Sequence, residues 1–178
     1  MQDAAIIFVV MEIVFSYDDY YAYSSCKGNA GNPVEAFLNP KKANMACLAR
    51  NISAVKKIIL SNQVHEYAEN YIDFVDIERA REIALENGIN FDEIPVDEGY
   101  IEKIKKFDPG RNYAIDCLKA IYMLENNLSQ EVAVYLFGHI FTIPFYKVSA
   151  VRISDWFYNT RRDINENSIC SCKYIIWL

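Results

Sequence analysis

A helix-rich α/β or α+β fold is the class this sequence predicts, with about six helices, a small sheet of three to four strands, and an all-α bundle as the alternative. Three observations support it. From residue 41 onward, apolar side chains recur at spacings of three and four, as in helices that bury one face. AIIFVV near the start and FYKVSAVRI near residue 150 are instead rich in β-branched and aromatic residues, which favour strands. Between them, FDEIPV over residues 91–96 reads as extended chain or a short strand.

Taken in order, Ala4–Phe15 (AAIIFVVMEIVF) is the most apolar stretch and reads as a buried strand or a core helix. Residues 24–33 (SSCKGNAGNP) form a loop, because Gly28, Gly31 and Pro33 punctuate them. Pro33–Leu38 reads as one short turn, closed by Asn39-Pro40. Residues 41–51 are helical, with Ala43, Ala46, Cys47 and Arg50 at helical spacing, whereas VKKIIL over 55–60 fits strand and helix alike. Ser61 or Asn62 caps the next helix, whose stripe is Val64, Tyr67, Ala68, Tyr71, Phe74 and Val75. Asp76 caps another, which turns Ile77, Ala80, Ile83 and Ala84 inward. It stops at Asn87-Gly88, where glycine supplies a left-handed residue. Beyond FDEIPV come a helix over 97–107, a turn at Asp108-Pro109-Gly110, and a helix over 111–126 striped by Ala114, Cys117, Leu118, Ile121 and Leu124. The last helix starts at Leu128-Ser129, runs through Val132, Leu136 and Ile140, and is broken by Pro144.

Composition narrows the functional classes. The chain has 178 residues, 52% of them hydrophobic, which suits a single globular domain over 1–178 with 24–33 as an internal loop. A net charge of −6, from 24 acids against 18 bases, argues against the broad basic surface of a nucleic-acid binder. Five cysteines make an odd set without a framework of close pairs, so reduced thiols in a cytoplasmic protein are expected. Cys47 and Cys117 then behave as small buried hydrophobes. Ala4–Phe15 falls short of the roughly 20 apolar residues that a membrane helix requires, and it carries Glu12. Its acidic start at Asp3 also differs from a secretion signal. A soluble chain with no membrane partner is the expectation.

Aromatic residues supply the positive signal. They make up 14% of the chain. Tyr17, Tyr20, Tyr21 and Tyr23 crowd into SYDDYYAYSS, and Trp156, Tyr158, Arg161 and Arg162 into WFYNTRR. Tyr, Trp and Arg are enriched where proteins meet, and exposed together they would form a patch that implies a partner. These eight are the candidate partner-binding residues, for a protein partner or a second copy. Residues 145–162 also set Phe145, Tyr146, Trp156, Phe157 and Tyr158 beside Lys147, Arg152 and the Arg pair. Any nucleic-acid contact, by stacking and phosphate pairing, would be sought there.

Carboxylates supply the competing signal. Magnesium and manganese are held by oxygen ligands, often Asp and Glu from separate elements, and such ions activate water against a phosphodiester. Glu66 and Glu69 follow IILSN, and Asp116 opens the 111–126 helix. The order IILSNQVHEYAEN, FDEIPVDEGYIEKIKKF, RNYAIDCLKAIYMLE over residues 55–126 resembles PIN-type ribonucleases. That resemblance implies catalytic or ligand roles for Glu66 or Glu69 and for Asp116; a metal set of Glu12, Glu69 and Asp116 would draw on Glu12 as the only acid near the first strand. The sequence departs from the family in two places. AIIFVV does not end in the metal-anchoring Asp, and VAVYLFGHIF lacks the later acid.

Other constellations are incomplete. The acidic run Asp92, Glu93, Asp97, Glu98 and Glu102 lacks the spacing of an EF-hand loop and reads as a solvated face. His65 and Glu69 share a helical face, and His139, inside YLFGHIF, reads as a hydrogen-bonded core or interface residue. Cys170 and Cys172 would make one zinc knuckle without a second. No Ser or Cys sits in a nucleophile elbow, and Gly28-Asn-Ala-Gly31 is not a phosphate loop. The expected function is a non-enzymatic protein-interaction or structural subunit of a small soluble assembly. It needs no cofactor; Mg or Mn enters only with the ribonuclease alternative.

Overall fold

The first apolar stretch is a strand. In the computed structural model β1 spans Ala5–Glu12, and consecutive burial of Val9, Val10 and Met11 marks a strand covered on both faces, since successive side chains point opposite ways. Residues 5–13, 15–18, 22–25, 31–61, 73–107 and 112–153 are described, by backbone alone over 15–18 and 22–25 and at 103 and 105–107. Two short strands, β2 (Phe15–Asp18) and β3 (Ala22–Ser25), pair antiparallel as a separate two-stranded sheet. β4 (Asn32–Phe37) then pairs with β1, with a register shift between Val10 and Met11. On the other side of β1 lies β5 (Tyr146–Ile153), the strand expected from FYKVSAVRI. The main sheet is thus antiparallel in the order β4-β1-β5.

β4 corrects the turn expected at Pro33–Leu38. The segment is exposed nearly throughout, so it lacks the apolar alternation by which strands are recognised. Its proline is tolerated because the strand is an edge. Entry into β4 depends on Gly31, whose φ is +88° and where a Cβ would lie 2.3 Å from the Glu12 carbonyl oxygen. Both backbone shape and space therefore require glycine. Gly31→Ala is expected to lower stability by about 2–3 kcal/mol in urea unfolding. A loss of a few tenths would show that the junction relaxes freely.

Asn39-Pro40 opens a helix instead of closing a turn. The Asn39 side-chain oxygen accepts from the backbone N–H of Lys41 (2.9 Å) and of Lys42 (3.3 Å), and Pro40 occupies the first helical position. Helix α1 (Pro40–Leu60) absorbs VKKIIL, because Val55, Ile58 and Ile59 fall on one buried face. Of the two capping positions proposed for the next helix, Ser61 ends α1, its N–H donating to the Lys57 carbonyl at 2.9 Å, and Asn62, like the stripe from Val64 to Tyr71, lies outside the described residues. Phe74 and Val75 are buried in a bend, not on a helix, and the Phe74 ring lies 5.7 Å from that of Phe145.

Helix α2 (Ile77–Glu86) begins where expected: the Asp76 carboxylate accepts from the Arg79 N–H at 2.9 Å. Gly88, at φ +71°, follows its end. FDEIPV is a 3-10 turn over Phe91–Glu93 followed by extended chain, since Asn90 caps it by accepting from the Asp92 N–H. Helix α3 spans Glu98–Phe107, and the Asp108-Pro109-Gly110 turn lies outside the described residues. Helix α4 (Tyr113–Tyr122) widens into a π turn over Met123–Asn127, where the Leu128 N–H reaches back to the Met123 carbonyl at 3.2 Å. Helix α5 (Gln130–Ile140) is capped by Ser129, whose hydroxyl oxygen accepts from the Val132 N–H.

Among the described residues, five α-helices stand against the six or so expected, and with the antiparallel sheet the class is α+β. α1, α2, α4 and α5 share one core around Val55, Ile83, Ile121, Met123 and Ile140. Asn51 joins that core to the sheet. It lies on α1 and is fully buried. Its amide donates to the Tyr146 carbonyl at 2.9 Å and to the Cys47 carbonyl at 3.2 Å. Its carbonyl accepts from the N–H groups of Phe145 (2.6 Å) and Tyr146 (2.9 Å). The Phe145 carbonyl in turn accepts from the Ile13 N–H at 2.8 Å, just past β1. No described helix is long and apolar enough to cross a membrane.

Candidate functional site

The densest set of charged side chains gathers on Phe91. Asp92 follows it in the 3-10 turn, Arg81 comes from α2, and Asp116 and Lys119 lie one turn apart on α4. The Arg81 guanidinium is 2.8 Å from the Asp92 carboxylate and 3.6 Å from that of Asp116. It also lies over the Phe91 ring, 4.7 Å from the centroid. Lys119 donates to the Asp92 backbone carbonyl at 3.0 Å. The Asp92 hydrogen bond, aided by both carboxylates, raises the pKa of Arg81 and keeps it charged. Two acids and two bases thus compensate one another, and they tie the 3-10 turn to α2 and α4.

This arrangement surrounds Asp116. Its carboxylate is mostly buried, 18% exposed, and already faces a cation. A metal ion there would have to share the carboxylate with the Arg81 guanidinium, which contacts its Oδ2. Glu12, the other described member of the suggested metal set, ends β1 and is exposed. Glu66 and Glu69 lie outside the described residues, as does His65. Among the described residues, no three His, Cys, Asp or Glu side chains group as a metal site. Asp116→Asn is expected to cost no more than about 1 kcal/mol, the range of a partly exposed ion pair. Thermal unfolding alongside an RNA-cleavage assay with magnesium checks both roles: abolished magnesium-dependent cleavage would place Asp116 in a nuclease site.

The thiols are buried. Cys47 and Cys117 are free and inaccessible, and burial pushes each thiol up from 9.0 to about 12. Neither is poised as a nucleophile, because the thiolate is the reactive form. Cys26, Cys170 and Cys172 lie outside the described residues. In the acidic run, Asp92, Glu93, Asp97, Glu98 and Glu102 are all exposed, and the Asp97 carboxylate accepts from the Gly99 N–H at 2.8 Å.

Of the candidate partner-binding residues, Tyr17 and Tyr23 sit directly opposite each other where β2 pairs with β3. Tyr20, Tyr21, Trp156, Tyr158, Arg161 and Arg162 lie outside the described residues. Within 145–162, Phe145 stacks on Phe74, and Arg50 lies over the Tyr146 ring at 5.9 Å, so these two aromatics are engaged internally. Lys147 and Arg152 are exposed.

Sequence reasoning passed over the outer face of α5. Tyr135 is 72% exposed and His139 is exposed beside it, their ring centroids 5.8 Å apart. Of the two readings of His139, core or interface residue, its exposure excludes the core one. Glu131 stands one turn before Tyr135 and binds Lys41 of α1 at 3.0 Å, a contact that lowers its pKa. Leu38, 81% exposed, precedes α1. The signal was present as Glu131, Tyr135 and His139 at intervals of four, which share one helical face. No protein-family model, curated protein or solved structure matches this chain.

Proposed function

We propose that this chain is a non-enzymatic protein-interaction or structural subunit of a small cytoplasmic assembly, contacting a protein partner or a second copy of itself. The observation that carries this reading is the Tyr135–His139 pair, two rings held side by side in solvent on a helix whose opposite face is core. Aromatic side chains of few rotamers contribute contact area at small entropic cost, which is why they concentrate at interfaces. The compensated charges around Arg81 agree with it, since Asp116 is occupied in tying elements together. No cofactor enters this reading.

Sedimentation and crosslinking of the purified chain test it. Self-association that Tyr135→Glu weakens about tenfold or more, with the circular dichroism unchanged, is the expected result for a second copy; a hot-spot aromatic is worth that much. For a distinct partner, the same substitution is expected to abolish its co-purification. A chain that stays monomeric, and whose complexes ignore Tyr135→Glu, would sink the assignment of this face.

A further inference from the structure

We draw no further inference here: the strongest candidate, the outer edge of β5, which among the described residues pairs only with β1 and exposes Lys147 and Arg152, carries nothing because nothing in the structure shows what covers it.

Discussion

Asn51→Leu is expected to lower stability by about 3–4 kcal/mol, because it removes the partner of the Phe145 and Tyr146 N–H groups and of the Tyr146 carbonyl at a fully buried side chain. Leucine keeps the branched shape of asparagine but is bulkier by about two methylenes, so overpacking at this fully buried position adds to the loss of hydrogen bonds. Asn51→Asp separates the two halves of this joint. An aspartate still accepts from both N–H groups, yet it sets negative charge against the Tyr146 and Cys47 carbonyls that the amide now satisfies. Its loss is expected to exceed that of leucine at neutral pH and to shrink in acid, where the buried carboxyl is protonated and can donate. Urea titrations followed by circular dichroism read both variants. A leucine variant within about 1 kcal/mol of the parent would mean that water replaces the amide.

Above pH 9 the protein is expected to lose stability steeply. The sign follows from protons bound. Cys47 and Cys117 titrate near 9.0 in the unfolded chain but near 12 when folded, because burial penalises the thiolate. Between those values the unfolded state holds fewer protons, so stability falls as pH rises and is retained in full below 9. Each thiol contributes a loss of about 1.4 kcal/mol per pH unit. Tyr113 adds to the fall above pH 10, since burial raises its phenol too, and its hydroxyl bridges the Val75 backbone. Melting temperature against pH, in the parent and in a Cys47→Ala/Cys117→Ala double variant, checks this. The double variant starts less stable, but its alkaline slope is expected to flatten. An unchanged slope would mean that the thiolates are accommodated inside.

Local chemistry and periodicity made much of this fold legible. Asp76 was readable as a cap because a short acceptor before an amphipathic run has few other uses, and Ser129 was readable as a helix start. The stripes of α2 and α4 were readable because tertiary packing followed them. β4 was not, since an exposed edge strand shows neither alternation nor β-branched enrichment, and its proline suggests a break. Asn39-Pro40 carries opposite meanings at a helix start and after a turn, and only the length of α1 decides between them. At the site, Asp116 could be singled out as an acid early on a helix. Its engagement by Arg81 could not, because the partner lies thirty-five positions away on another element. Asn51 escaped for the same reason: the groups it satisfies belong to residues 145 and 146.

The middle strand of the sheet carries a temporal consequence. β1 ends at Glu12, yet one of its two neighbours, β5, begins only at Tyr146. Until β5 pairs, one edge of β1 lacks its neighbour, and closing so long a loop slows assembly. The complete sheet therefore waits on one long-range closure, and until it occurs an edge of β1 is open to wrong pairings.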